Sequence, residues 1–234
     1  MTARLLLLLV FLSCTARAQS LETAQSLYAK GAFLEAYKVA LALNTSAGFA
    51  FAARNLDHVA GDERAAKREA LYAECEQLAR KAIALDAKNA DGYFELGAAI
   101  GHLGSLRGAA YAFVNGVATQ VRDNFERALQ LNPRHILALG ALGRWHAEIV
   151  SRGVGFMFGG DAGKVTSLFE RAIAADSKSI FARVEYARSL LVLDAKANRS
   201  KARDLLETAV NLTPRDFVEG QLWNEAGREL GKLR

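Results

Sequence analysis

The sequence has few of the residues that interrupt helices. It contains only two prolines, Pro133 and Pro214, in 234 residues, whereas alanine and leucine are abundant. Because proline breaks a helix and alanine and leucine favour one, this composition predicts an all-α protein. The 19 glycines cluster at residues 97–116 and 153–163, so we expect helix to be interrupted in these two places.

Cysteine is also scarce, and Cys14 and Cys75 are the only two in the chain. If the N-terminal residues are removed, the one remaining thiol cannot form an internal disulfide. Cys75 lies between Glu74 and Glu76, whose charges oppose formation of a thiolate. We therefore expect Cys75 to be a buried structural residue rather than a reactive one.

The sequence lacks the motifs of catalytic and metal sites. No two histidines have i, i+4 spacing and no cysteine pair accompanies them, so a metal site has no local signature. The chain has no G-x-S-x-G motif and no Cys–His candidate for a nucleophile. We therefore expect a non-catalytic protein without metal or cofactor. The histidines are His58, His102, His135 and His146, and we interpret His146 as structural.

Long apolar runs are absent as well. The one run, Leu5 to Leu12, has eight residues, whereas a membrane span needs about 20. Arg4 precedes it and Ala16-Arg17-Ala18 follows it, which is the pattern of a secretory signal peptide. We therefore expect residues 1–18 to be a signal peptide, residues 19–234 to be one helical domain, and the protein to be exported to the periplasm. A second interpretation stays open, because Phe11 to Cys14 resembles a lipoprotein box in which Cys14 would be lipidated.

The charge balance excludes one class of partner. Cleavage after Ala18 would remove Arg4 and Arg17, leaving 28 basic against 25 acidic residues. This excess is too small to indicate nucleic-acid binding.

The glycine-rich stretch Ser151–Ser167 has a lysine after a glycine, as a phosphate-binding loop does. Such a loop requires G-x-x-x-x-G-K-[ST], in which two glycines shape the amide nest and the hydroxyl ligates magnesium. With Gly163-Lys164 as the G-K pair, the leading glycine is replaced by Phe158 and the hydroxyl residue by Val165. No strand pattern precedes the stretch, so we do not interpret it as a nucleotide site.

The main signal is an internal repeat. Four segments align without gaps around a repeated alanine, namely Ala82, Ala128, Ala172 and Ala209. Each segment has the pattern of the end of one helix, a turn and the start of the next. The helix that follows the turn carries two large residues and then a small one, as in Leu139, Leu142 and Gly143. The small residue would let the second helix of the pair pack closely.

This pattern resembles tetratricopeptide repeat (TPR) proteins, and the resemblance covers nearly all of residues 19–234. It implies an α-solenoid of four to five antiparallel helix pairs, closed by a capping helix in residues 216–233. The alanines are 46, 44 and 37 residues apart, whereas a standard repeat has about 34. We therefore expect insertions between the first and second helices of the repeats, including both glycine clusters.

Residues from about 80 to 180 are also similar to the regulator of microtubule dynamics family, a TPR-type family found in animals and bacteria. This sequence has a shorter segment between Trp145 and Phe169 and lacks the usual proline near Gly160. The resemblance implies a fold and a non-catalytic, protein-interacting habit, and the animal members' association with microtubules does not carry over to an exported protein. The matching motifs are Asn115-Gly116, Leu131-Asn132-Pro133, Leu142-Gly143-Arg144-Trp145, Phe158-Gly159 and Phe169-Glu170-Arg171-Ala172.

The first helices of a TPR array line its concave surface, so their inward positions predict a partner-binding groove. Arg144 and Arg188 occupy the same position in successive repeats and suit an acidic, apolar peptide or a C-terminal carboxylate. Gly140 would leave room for this peptide. In the alternative, both arginines pair with groove carboxylates such as Asp91 or Glu148. The predicted groove residues are Asp91, Phe94, Arg144, Phe181, Val184 and Arg188.

The second glycine-rich insertion carries Phe156, Met157 and Phe158. Insertions in a solenoid often lie on its binding face, so these side chains on one side, and Tyr111 and Phe113 of the first insertion on the other, would form an apolar lip beside the groove. Tyr111 and Phe113 could instead continue a helix into the core. In the alternative, the insertions are surface loops with glycines at their turns. We therefore expect a protein-interaction scaffold or an accessory subunit. The alternative function is small-ligand binding, with the two insertions closing over a pocket.

Overall fold

The computed structural model of the chain describes residues 20–233. The predicted signal peptide and the predicted lipidation of Cys14 lie outside these residues. All regular secondary structure in residues 20–233 is helical, as the composition predicted. The helices are α1 (residues 20–29), α2 (Phe33–Ala42), α3 (Ser46–Gly61), α4 (Ala65–Leu85), α5 (Ala90–Arg107), α6 (Ala109–Val114), α7 (Val117–Leu131), α8 (Ile136–Ser151), α9 (Gly155–Phe158), α10 (Ala162–Ala175), α11 (Ile180–Asp194), α12 (Arg199–Val210) and α13 (Phe217–Lys232).

The helices divide into two compact units, with the division between Ala99 and Ile100 inside α5. In unit 1, α3 packs against both α2 and α4. In unit 2, α8 packs against α7, α10 and α11, and α12 packs between α11 and α13. These are the antiparallel pairs of a TPR-like all-α fold. The expectation of one domain over residues 19–234 remains a prediction.

The repeated alanines lie in the packed interior between helices. All four are fully buried, so each provides a surface without a side chain long enough to separate two helices. Gly143 has the same role on α8, since a methyl group added there would lie 2.6 Å from the Phe169 ring of α10. The predicted close packing of the second helix on a small residue is therefore confirmed.

Side-chain caps fix several helix starts. The Thr45 hydroxyl accepts a hydrogen bond from the Gly48 N–H at the start of α3, and Ser179 caps α11 in the same way. Each cap satisfies one of the amides that a helix start leaves without a partner, and is worth about 1 kcal/mol.

The capping helix α13 closes unit 2 as predicted. Its Ala226 and Leu230 are buried in one cluster with Leu206 of α12 and Ile180 of α11, and Leu222 is partly buried against that cluster. Trp223 is partly exposed, and its indole N–H donates to the Val210 carbonyl oxygen.

Each glycine-rich insertion folds into a short helix between two glycines with left-handed backbone. Gly108 (φ +89°) and Gly116 (φ +60°) bracket α6, and Gly153 (φ +73°) and Gly159 (φ +76°) bracket α9. Residues with a Cβ rarely adopt these angles, so the glycines set where the chain leaves one helix and enters the next. Both insertions lie between the first and second helix of a pair, where the repeat spacing placed them.

Cys75 is buried, and its thiol donates to the Ala53 carbonyl oxygen at 3.4 Å. Burial raises the pKa of the thiol, and nearby carboxylates raise it further. A neutral thiol of this kind is a structural residue, as predicted. None of the helices in residues 20–233 has the length and hydropathy required to span a membrane.

Candidate partner-binding surface

The first helices of the repeats place an arginine at one equivalent position in both units. Arg54 follows the first residue of α3 by eight positions, as Arg144 does in α8 and Arg188 in α11. Each arginine pairs with a carboxylate on the next first helix along the chain. Only Arg144 and Arg188 were predicted from the sequence, and the same repeat spacing counted from the start of α3 also gives Arg54.

In unit 1 the arginine is enclosed. The Arg54 guanidinium contacts Asp91 and Glu95 of α5 at 2.7 Å each, and it lies over the rings of Phe51 and Phe94. The Glu95 side chain is only 4% exposed. Burial raises the pKa of Glu95, and the ion pair with Arg54 opposes that rise. The predicted groove residues Asp91 and Phe94 therefore both contact Arg54, although Asp91 itself is 54% exposed.

In unit 2 two arginines share one carboxylate. Glu185 of α11 contacts Arg188 at 2.8 Å and Arg144 of α8 at 3.6 Å. Arg188 also contacts Glu225 at 2.7 Å and Glu229 at 2.6 Å, both on α13. Both arginines therefore pair with carboxylates, as the alternative expected, although the two examples named there, Asp91 and Glu148, pair with Arg54 and Arg152.

The outcome for the two predicted arginines therefore differs. Three carboxylates surround Arg188, whose side chain is 30% exposed, so an acidic ligand would have to compete with them. Arg144 is 55% exposed and has the one longer contact with Glu185. Of the two predicted arginines, Arg144 is therefore the more accessible to a ligand.

The structure corrects two apolar parts of the predicted groove. Val184 is fully buried in the cluster of α11, α12 and α13, so it is a core residue and not a groove residue. Phe181 is half-buried, and a methyl group added at Gly140 would lie 2.6 Å from its ring. The space over Gly140 is therefore filled by Phe181 and is not left for a ligand. The predicted register identified helix positions correctly but could not give the distance between α8 and α11.

The residues of the predicted lip differ in exposure. Phe156 is 87% exposed and Met157 is 51% exposed, whereas Phe158 is half-buried. The Phe158 carbonyl oxygen accepts a hydrogen bond of 2.7 Å from the Arg122 guanidinium of α7. This bond joins the end of α9 to α7.

His146 contacts the same insertion three residues further along. Its Nδ1 accepts a hydrogen bond of 3.1 Å from the backbone N–H of Asp161, the residue that caps α10. Burial lowers the pKa of His146 to about 4, and the positive charges of Lys164 and Arg122 contribute to the decrease. His146 is fully buried, as a structural histidine would be, but only its Nδ1 is hydrogen-bonded, since its Nε2 has no partner among the described residues.

An open depression of about 630 Å³ lies beside this insertion, with Val150, Phe156, Gly160 and Lys164 among its lining residues. All of its lining comes from residues 150–164, so the second insertion alone forms it. Among the described residues, no three His, Cys, Asp or Glu side chains are grouped so that they could hold a metal ion.

Sequence comparison assigns the chain to a family. The family model described as regulator of microtubule dynamics protein 1-3 matches residues 20–154, which is more than half of the chain. The chain belongs to this family. The match contains the Asn115-Gly116 and Leu142-Gly143-Arg144-Trp145 motifs and extends the expected similarity back through α1 to α4. It ends before the Phe158-Gly159 and Phe169-Glu170-Arg171-Ala172 motifs, so the similarity expected for residues 155–180 remains a prediction. No curated protein sequence matches this regulator of microtubule dynamics family member.

Solved structures agree with the TPR fold of this family member. The structure of a thermophilic TPR protein of Thermus thermophilus matches with a TM-score of 0.66 at 16% identity, covering 91% of this chain and 99% of that one. PilF of Pseudomonas aeruginosa matches with a TM-score of 0.51 at 15% identity, covering 94% of this chain and 92% of that one. At this level of identity the similarity shows the fold.

Proposed function

We propose that this protein is a non-catalytic scaffold that binds a partner protein or peptide through the first-helix surface of unit 2. The observation that carries the proposal is the accessible guanidinium of Arg144, which is 55% exposed and 3.6 Å from its one carboxylate contact, Glu185. The equivalent Arg54 is closely paired and only 20% exposed.

The chemistry of the surface suggests the class of partner. A guanidinium binds a carboxylate through two parallel hydrogen bonds, and Arg144 has the exposure needed to form them. Phe181 and the stem of Arg144 supply apolar contact area beside it. The partner we propose is therefore a segment that carries a carboxylate next to apolar side chains. Arg188 would help to orient Glu185 and would not bind the partner directly.

The repeat architecture supports a scaffold more than an enzyme. First-helix surfaces of TPR folds are lined by side chains from successive repeats, which suits extended segments of another protein. The N-terminal pattern supports an exported location for this scaffold. The depression formed by the second insertion alone gives less support to the alternative in which two insertions close over a small ligand.

The test is partner capture from envelope extracts with the full chain as bait, comparing wild type, Arg144→Glu and Arg203→Glu. Arg203 is an exposed arginine on the second helix α12, with long contacts to Asp204 and Glu207, so its reversal controls for the change of charge. All three baits must first show the same helical content and melting temperature.

We expect the wild type and Arg203→Glu to recover the same protein and Arg144→Glu to lose it. The capture should weaken at high salt, because an exposed ion pair is screened. Equal recovery by all three baits would exclude Arg144 as the anchor. Recovery of no specific protein by the wild type would contradict the scaffold function.

A further inference from the structure

The sequence contains one Asn–Gly step, Asn115-Gly116. Asn115 is exposed and follows the last residue of the short helix α6, and Gly116 precedes α7. An asparagine followed by glycine can lose its side-chain amide, because glycine has no Cβ to hinder attack by its backbone nitrogen. The Gly116 nitrogen forms a bond to Cγ of Asn115, and the bond from Cγ to Nδ2 breaks. The Gly116 N–H proton leaves with Nδ2 as ammonia, and water then opens the resulting succinimide to aspartate or isoaspartate.

The folded conformation keeps the two reacting groups apart. Nδ2 of Asn115 donates a hydrogen bond of 2.9 Å to the Tyr111 carbonyl oxygen, and the Gly116 N–H donates one of 3.1 Å to the Phe113 carbonyl oxygen. Closing the five-membered ring requires the Gly116 nitrogen to lie on the same side of the Cα–C bond as Cβ of Asn115. The ψ angle of Asn115 is 5°, which places that nitrogen beside the backbone nitrogen of Asn115 instead. The ring therefore closes only when α6 opens.

Little of the structure opposes the opening of α6. The helix has six residues, none of them buried, and Phe113 is 64% exposed, so opening it removes little apolar surface from the core. Gly108 and Gly116 bracket the helix, and glycine rotates more freely than other residues. The Gln120 side chain of α7 donates a hydrogen bond of 2.7 Å to the Asn115 carbonyl oxygen. A segment with so few buried contacts opens locally while the rest of the fold stays intact.

We propose that Asn115 is a site of spontaneous deamidation in the folded protein, and that local opening of α6 controls its rate. The reaction needs only water, and it is independent of the partner-binding role of Arg144. The product differs from asparagine in two respects that act on the first insertion. Its carboxylate cannot donate to the Tyr111 carbonyl oxygen, and isoaspartate also lengthens the main chain between α6 and α7 by one CH₂ group. Deamidation therefore favours the open state of α6.

Peptide mapping by mass spectrometry tests this proposal on the full chain, kept folded at mildly alkaline pH. The measured quantity is the fraction of Asn115 converted to aspartate or isoaspartate with time. A synthetic peptide of residues 109–120 under the same conditions gives the rate without the fold, because so short a helix does not persist in water.

The test variant is Gly108→Ala. Gly108 has φ +89° and ψ 171°, a conformation that residues with a Cβ rarely adopt, and no atom lies within 4 Å of an added methyl group, so the change acts through backbone strain. Gly153→Ala is the matched control in the second insertion, where φ is +73° and the space is equally open. Gln120→Ala removes the bond to Asn115 and serves if Gly108→Ala does not fold. All variants must first show the helical content of the wild type.

We expect Asn115 to convert in the folded wild type at least about tenfold more slowly than in the peptide, since the ring closes only in the open fraction of molecules. Gly108→Ala should convert about tenfold faster than the wild type, because opening α6 relieves the strain. Gln120→Ala should also be faster, and Gly153→Ala should match the wild type. Val165→Ala destabilises the buried core of unit 2 and should leave the rate unchanged.

Equal rates in the folded wild type and the peptide would overturn the proposal, since α6 would then give no protection. No conversion in the folded protein while the peptide converts fully would overturn it as well. Wild-type rates in both Gly108→Ala and Gln120→Ala would exclude opening of α6 as the controlling step. Faster conversion in Val165→Ala alone would show that unfolding of unit 2 controls the reaction instead.

Discussion

The two units use one arginine position in two ways. In unit 1, Arg54 and Glu95 form a short pair, 2.7 Å long, with side chains 20% and 4% exposed. In unit 2 the equivalent pair, Arg144 and Glu185, is 3.6 Å long, and Arg144 is 55% exposed. The difference has an identifiable cause, because Glu185 also binds Arg188 whereas Arg54 has Asp91 as a second partner. An arginine that loses its carboxylate to a neighbour becomes accessible to a partner.

The largest expected effect comes from removing the enclosed arginine. Arg54→Met would leave Glu95 buried without its cation, which should lower the free energy of unfolding by about 3–5 kcal/mol. Arg144→Met should cost less than about 1 kcal/mol, since the pair is exposed and long. Urea denaturation of both variants measures the difference. Similar losses of unfolding free energy in the two variants would contradict the claim that Arg54 is tightly paired whereas Arg144 is accessible.

A second prediction sharpens the comparison through pH, because the buried His146 belongs to unit 2. Its pKa is lowered to about 4 from an ordinary 6.5, so the unfolded state binds more protons between these pH values. Stability should therefore rise with pH from about 4 to 6.5, by at most about 3 kcal/mol from this residue.

The His146→Asn variant provides the comparison, since the amide oxygen of asparagine can still accept from the Asp161 N–H but does not titrate. Urea denaturation across that pH range should show a shallower increase in stability for the variant than for the wild type. Parallel pH profiles for the two proteins would show that His146 does not titrate as the structure indicates.

A third prediction removes the competitor for Glu185. Arg188→Met would leave Glu185, Glu225 and Glu229 without their shared cation, which should cost about 1–3 kcal/mol of stability. Arg144 would then have Glu185 to itself, so partner capture should weaken although Arg144 is unchanged. The comparison with Arg144→Met, measured by denaturation and by capture, separates the two effects. Unchanged capture by a folded Arg188→Met variant would argue against competition for Glu185.

The smallest expected effect on stability concerns Arg144, the more exposed of the two arginines compared. Arg144→Lys keeps the charge but removes the planar pair of donors, so stability should change by less than about 0.5 kcal/mol. Capture of the partner should nevertheless weaken, because lysine cannot form two parallel hydrogen bonds with a carboxylate. Wild-type capture by this variant would mean that Arg144 contributes charge alone.

Much of the fold could be predicted from the sequence because it depends on local spacing. Ala82, Ala128, Ala172 and Ala209 are buried near helix ends, and their spacing indicated where the insertions lie. The short helices α6 and α9 were less predictable, since each is only one or two turns long and depends on its flanking glycines for direction.

The binding surface was less predictable because it depends on distances between helices. The repeat pattern identified Arg144 and Arg188 as inward positions of the first helices. It could not show that α13 supplies two carboxylates to Arg188. It also could not show that Phe181 fills the space over Gly140, or that Val184 faces the core. Extending the same register to α3 would have identified Arg54.

The most direct test of the account is a pair of double-mutant cycles on the free energy of unfolding. One cycle uses Arg54→Met and Glu95→Gln, and the other uses Arg144→Met and Glu185→Gln. We expect a coupling energy above about 2 kcal/mol for the first pair and below about 0.5 kcal/mol for the second. Equal coupling energies would contradict the claim that Arg144, unlike Arg54, is available to a partner.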